Sequence, residues 1–113
     1  VDDAYLEAVL DLVETIPSGR AMTYGTVAEV VAERFVAAGG HPRGGPRQVG
    51  QVMARAGAGV PWWRVVNASG APPTRHLQRA LAELRAEATP LTPDGTRVAL
   101  ARAIWFPDVP DPA

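Results

Sequence analysis

The run Pro61, Trp62, Trp63, Arg64, Val65, Val66 constrains this chain more than any other stretch. Two adjacent indoles are costly to leave in water, and an arginine directly behind them is costly to bury without a partner. The fold has to accommodate all three together. Proline fixes its own φ and pushes Val60 toward extended geometry, so the run predicts a short strand, Trp63 to Val66, closed by the turn residues Asn67, Ala68, Ser69 and Gly70. Successive strand side chains face opposite ways. Trp62 and Trp63 are therefore expected to differ in task, one lining a surface or cleft and the other packed inside.

The 113 residues fit one domain, 1–113, and 47% hydrophobic residues are enough for a small core. There is no cysteine, which excludes disulfides, thiolate metal sites and a cysteine nucleophile together. The two histidines, His41 and His76, are isolated and no metal-ligand spacing is present, so no metal and no cofactor is expected. No apolar run approaches membrane-spanning length, and the sequence begins Val1, Asp2, Asp3 rather than with a basic region before a hydrophobic block. The expectation is a soluble, cytoplasmic protein with no membrane partner. Few apolar stretches are left to expose, which predicts a monomer.

A net charge of −1 argues against a general polyanion binder until the charges are placed along the chain. They are segregated. No acid lies between Glu33 and Glu83, whereas Arg34, Arg43, Arg47, Arg55, Arg64, Arg75 and Arg79 all do, with both histidines. The acids gather at Asp2, Asp3, Glu7, Asp11 and Glu14 and toward the C-terminus. All eleven basic residues are arginine, which genome composition explains as readily as a need for bidentate or stacking contacts.

Tyr5, Leu6, Val9, Leu10, Leu12, Val13 and Ile16 recur at helical spacing behind Asp2 and Asp3 as caps, and Pro17, Ser18, Gly19 end that helix. A second helix is predicted from Thr23, its cap, to about Phe35. Ala37 to Gly45 is a loop, and Pro46 suits the first turn of a third helix reaching about Ala56. Val49, Val52, Met53 and Ala56 form its apolar face, while Arg47, Gln48, Gln51 and Arg55 form a donor-rich face without acids. Helix, loop and such a helix make the pattern of a helix-turn-helix, with the Pro61 strand and Asn67–Gly70 turn as a wing. Leu77, Ala80, Leu81 and Leu84 mark a fourth helix. Turns follow at Pro90, Pro93 and Asp94/Gly95, then an apolar piece at Val98 to Leu100, and Ile104, Trp105 and Phe106 are expected to close over the core. The class is mainly α with some β: a winged helix-turn-helix-like domain.

Met22, Thr23, Tyr24, Gly25, then Pro46, Arg47, Gln48, Val49, Gly50, then Pro61, Trp62, Trp63, Arg64, Val65, Val66 together resemble the DNA-binding domain of O6-alkylguanine-DNA alkyltransferases, over roughly residues 3–106. In those enzymes the third motif is proline, cysteine, histidine, arginine, with cysteine as alkyl acceptor. Here Trp62 stands at the cysteine position, as in alkyltransferase-like proteins, the non-enzymatic branch. That branch usually keeps the histidine, where this sequence has Trp63. The chemistry agrees: alkyl transfer needs a strong nucleophile, and a chain without cysteine has no thiolate to offer.

The resemblance implies a lesion pocket of Tyr24, Trp62, Val65, Val66 and Arg75 and a DNA-binding set of Thr23, Tyr24, Arg43, Arg47, Gln48, Gln51 and Arg55. In it Tyr24 crowds the 3′ phosphate of an extruded nucleotide, Arg47 enters through the minor groove to fill the gap, Trp62 walls the pocket and Arg75 faces the purine ring. Each has a plainer reading as well. Tyr24 and Trp62 are also core aromatics by type, and Arg47 and Arg75 are also solvated or phosphate-bound arginines. Arg64 and Glu87 are read as structural, with Ala88 replacing a glycine of the enzymes, and Arg43 and His41 in the longer 37–45 loop as phosphate contacts.

The function implied by resemblance is binding of double-stranded DNA containing O6-alkylguanine, base flipping without alkyl transfer, and presentation to nucleotide excision repair proteins. The alternative is a sequence-specific winged-helix transcription regulator, usually dimeric, reading the major groove with Gln48, Gln51 and Arg55. A residual enzyme is disfavoured by the missing cysteine and metal-ligand spacing.

Overall fold

The Asp2 carboxylate accepts a hydrogen bond from the Tyr5 amide at 2.9 Å, satisfying one of the donors that every helix start leaves unpaired. In the computed structural model, which describes residues 2–57 and 59–108, helix α1 then runs Asp3–Glu14 and buries Tyr5, Val9, Leu12 and Val13. Strand β1, Met22–Thr23, leads into α2, Tyr24–Ala37, whose cap is the Thr23 hydroxyl accepting from the Thr26 amide at 3.1 Å. Helix α3 is Pro46–Ala54, with proline in its first turn and the Gln48 side-chain oxygen accepting from the Gly45 amide at 3.0 Å. The predicted starts hold for all three, and α3 stops two residues short of the predicted Ala56. These helices pack around Val27, Val31, Val49 and Val52.

Strand β2, Val65–Val66, lies parallel to β1, pairing Met22 with Val65 and Thr23 with Val66. A parallel pair needs a long crossover, and α2 and α3 supply it. Strand alternation then divides the interior. Met22 and Val65 enter the core of α1, α2 and α3, whereas Ala21 and Val66 enter a second one with Leu81 and Leu84 of α4 (Leu77–Ala86), Val98, and Ala103 of the short α5 (Leu100–Ala103). The two-strand pair is the seam between the cores, and the class is the expected mainly helical one with a small sheet.

The structure differs from expectation at three places. Trp62–Arg64 is a turn of 3-10 helix, and the strand begins only at Val65. The cause is tertiary: the Arg64 side chain turns inward to Glu87 and to the Ile16 carbonyl. The expected wing is a turn closed on itself, since the Asn67 side chain accepts from the amides of Ser69 and Ala71, and β2 pairs with β1 rather than with a following strand. Gly70 in that turn has φ of +87° and lies so close to Val98 that a Cβ would overlap its carbonyl. In the tail, Ile104 bridges to Ala21 and Trp105 packs against the first core, but Phe106 is 42% exposed and does not close over it. Among the described residues no helix is long and apolar enough to cross a membrane.

Candidate nucleic-acid interface

Helix α3, the Trp62 turn and the turn Thr74–His76 ahead of α4 border an open cleft of about 360 Å³. Tyr24, Gly50, Met53, Ala54, Ala56 and Trp62 supply its aromatic and apolar lining; Pro73, Arg75, His76 and Arg79 complete it. The half-buried Trp62 ring is held edge-on by two neighbours, Trp63 at 5.7 Å and 82° and His76 at 5.8 Å and 61°. Tyr24, the first residue of α2, is half-buried, and burial pushes its phenol pKa up, so it is a neutral hydroxyl at physiological pH.

Trp62 lines the cleft while Trp63 packs on the second core, so the two indoles do differ in surroundings. A 3-10 turn separates successive side chains by about 120°, and strand alternation is not the cause. Behind the cleft, Trp63 Nε1 donates to Glu87 Oε1 at 3.1 Å and Arg64 Nε donates to the same oxygen at 3.0 Å. Arg64 Nη2 donates to Glu87 Oε2, and Nη1 to the Ile16 carbonyl at 2.8 Å. Burial pushes the Glu87 carboxyl up, but hydrogen bonds from Arg64 and Trp63 and the Arg64 charge outweigh it and hold the group below its ordinary value. Arg64 and Glu87 are thus tied into the framework that carries Trp62.

Helix α3 turns by about 100° per residue, which separates its polar side chains. Arg47 lies one turn before Gly50 and two before Ala54 on the same face of the helix, and those two residues line the cleft. Gln51 lies beside that face, and Gln48 and Arg55 are rotated away from it. Arg47, Gln51 and Arg55 are exposed.

The structure brings Tyr24, Trp62 and Arg75 together on one cleft, and it gives other assigned residues packing, capping or pairing roles within the fold. Val65 and Val66, which the resemblance offers to the base through hydrogen bonds from this stretch of backbone, are fully buried, one in each core, and their side chains offer the cleft no surface. Strand pairing with β1 decides this. The Thr23 hydroxyl is engaged in capping α2 and in a bond with Thr26 Oγ1, so it is a helix cap before it is a DNA contact. Gln48 uses its side-chain oxygen on the α3 cap. Arg43 pairs with Asp2 and stands over the Tyr5 and Phe35 rings at 5.6 and 5.2 Å, which makes it a latch on the loop rather than a free phosphate contact. Sequence reasoning missed Gly50, Met53, Ala54, Ala56, Pro73, His76 and Arg79 as cleft residues, having read Met53 and Ala56 only as part of the apolar face of α3. The available signal was Arg79 four residues after Arg75 in a stretch without acids.

Residues 4–89, most of the chain, match the sequence profile of the DNA-binding domain of 6-O-methylguanine DNA methyltransferase. The DNA base-flipping protein of Vibrio parahaemolyticus is 30% identical over 109 residues, spanning 93% of this chain and 99% of that protein. The DNA base-flipping protein of Escherichia coli is 35% identical over 108 residues, spanning 92% of this chain and 76% of its own length. Among solved structures, S. pombe Atl1 in complex with damaged DNA containing O6-carboxymethylguanine superposes with a TM-score of 0.73 at 32% identity, covering 95% of this chain and 99% of Atl1. A variant of M. tuberculosis O6-methylguanine methyltransferase gives a TM-score of 0.60 at 26% identity, covering 83% of this chain and 55% of that enzyme. The chain belongs to the methyltransferase DNA-binding-domain family, as an alkyltransferase-like protein whose sequence has no cysteine.

Proposed function

We propose that this protein binds duplex DNA carrying O6-alkylguanine, turns the damaged base out into the cleft, and holds it there without alkyl transfer. The observation that carries the reading is the convergence of Tyr24, Trp62 and Arg75, from three separate segments, on one cleft. Trp62 takes the place that the family resemblance gives to the acceptor thiol, so the base meets an indole and no nucleophile.

Extruding a base costs a few kcal/mol, less when its pairing is already damaged. Stacking on an aromatic side chain returns about 1–3 kcal/mol per base, and an arginine over the purine face about 0.5–2 kcal/mol. Trp62 and Arg75 are therefore sufficient in kind and size to hold the base out. Arg47 fills the vacated space in the duplex, and the neutral Tyr24 crowds the 3′ phosphate. The bent, occupied DNA is then handed to nucleotide excision repair proteins by a monomeric, cytoplasmic protein. The regulator alternative loses one of its three reading residues, because the Gln48 side-chain oxygen is held at the helix cap.

Titration of duplexes that differ only by O6-methylguanine in place of guanine tests the reading. Tighter binding of the lesion is expected, weakened by Arg47→Ala and by Tyr24→Ala. Equal affinity for both duplexes would falsify it, and an undiminished lesion affinity in Arg47→Ala would remove the gap-filling role.

A further inference from the structure

Trp63 is fixed by the hydrogen bond from its Nε1 to Glu87 at 3.1 Å, but among the described residues the indole N–H of Trp62 has no acceptor. No polar contact therefore sets the plane of the Trp62 ring, and packing has to. Two aromatic rings meet it: Trp63 at 5.7 Å and 82°, and His76 at 5.8 Å and 61°. Both are governed by one helix. Glu87, which fixes Trp63, closes α4, and His76 opens it, so the two ends of α4 grip the Trp62–Arg64 turn. The imidazole has no capping role at that position. A helix-opening residue ordinarily accepts from an amide of the first turn, and the His76 side chain makes no such bond. Its backbone amide donates to the Pro73 carbonyl at 3.3 Å, which holds the Thr74–His76 turn whatever side chain stands there. His76 is exposed, and it lines the cleft together with Tyr24 and Arg75.

A base stacks best on an indole that already stands in one orientation, because ordering a freely rotating side chain on binding costs affinity. Resting on the lesion-binding reading above, we propose that His76 is a positioning residue: its ring braces the Trp62 indole against Trp63 and so prearranges the wall on which the extruded base stacks. The brace acts through ring contact and shape. A contact from the imidazole to DNA would act through a hydrogen bond instead, and two substitutions separate these roles. Phenylalanine keeps an aromatic ring and loses the hydrogen bond, whereas asparagine keeps a hydrogen-bonding side chain and loses the ring. Both are uncharged, so charge does not distinguish them.

The wild-type protein, His76→Phe, His76→Asn and His76→Ala, each checked for folding by thermal melting, are titrated with duplexes that differ only by O6-methylguanine in place of guanine. The asparagine and alanine variants are expected to lose about two- to ten-fold in affinity for the lesion duplex, the cost of ordering one side chain, with undamaged duplex bound as before. The phenylalanine variant is expected to keep the wild-type preference. A second readout uses the free protein: the coupled circular-dichroism signal of the Trp62–Trp63 pair, defined as the part that Trp62→Phe removes. It is expected to weaken in His76→Asn and His76→Ala and to persist in His76→Phe. Wild-type lesion affinity in His76→Ala overturns the proposal, as does a loss in His76→Phe equal to that in His76→Ala. Affinity kept by asparagine and lost by phenylalanine overturns it in favour of a hydrogen bond to DNA. The dichroism needs no DNA, so the two kinds of failure are distinguishable. Equal binding of both duplexes by the wild-type protein removes the lesion-binding reading, whereas an unchanged coupled signal in His76→Ala removes the brace.

Discussion

Glu87→Gln removes one negative charge and changes almost no volume. The Arg64 and Glu87 side chains expose only 15% and 13% of their surface, so the substitution leaves a guanidinium largely withdrawn from water facing a neutral amide. The glutamine oxygen can still accept from one donor, but its NH2 then meets another of the donors now shared between Arg64 and Trp63. Breaking a buried ion pair from one side costs about 3–5 kcal/mol. Arg64 keeps the Ile16 carbonyl at 2.8 Å, which places the expected loss at the lower end, about 3 kcal/mol. For a domain of this size that lowers Tm by about 12–20 °C. Trp63→Phe removes only the indole N–H and is expected to cost about 1 kcal/mol. Both are measured by urea unfolding followed by far-UV circular dichroism. The pH dependence has a definite sign. Because Glu87 is held below its ordinary value in the folded protein, its contribution is complete above the unfolded glutamate pKa and is lost as pH falls through the folded one. The glutamine variant should lack that part of the acid limb. A loss below about 1 kcal/mol, or an unchanged acid limb, would refute the claim that this network holds the tryptophans in place.

Three further substitutions test the frame around the cleft. Gly44→Ala is expected to destabilise by about 1–3 kcal/mol through overpacking, with a further 1 kcal/mol or so for the backbone, because residue 44 has φ of +79° and a Cβ there would overlap the Tyr5 ring; an unchanged urea midpoint would contradict the packing. Arg43→Ala is expected to cost about 0.5–1 kcal/mol from its contacts over Tyr5 and Phe35 and to leave the salt dependence of DNA binding unaltered; a slope reduced by about one phosphate equivalent would return Arg43 to the DNA-contact set. Ala88 occupies the left-handed region at φ of +58°, just past the end of α4 where the Thr89 amide donates to the Leu84 carbonyl. Ala88→Gly should therefore raise the melting midpoint, with a gain of about 0.5–1 kcal/mol after the greater freedom of glycine in the unfolded chain is set against the relief; a lowered midpoint would show that the end of α4 is not strained.

The sequence by itself determined whatever depends on near neighbours or on composition. Asp2, Thr23 and Pro46 set three helix starts through their own side chains and dihedrals, and the missing cysteine removed thiol chemistry before any fold was known. Resemblance to the alkyltransferases, carried by three short motifs, pointed to Tyr24, Trp62 and Arg75, which the structure brings to one cleft. Tertiary structure alone decided which arginines are tied and which are available. Arg43 finds Asp2 from 41 residues away and Arg64 finds Glu87 from 23, and no local rule distinguishes them from Arg75 and Arg79, which find no acid among the described residues. The same long-range bonds turn the Trp62–Arg64 segment into a 3-10 turn against its extended propensity, and pairing with β1 buries Val65 and Val66. The reason is physical: helix caps and turn residues are satisfied within a few positions of the chain, whereas a buried charge must be met wherever folding brings its counterpart.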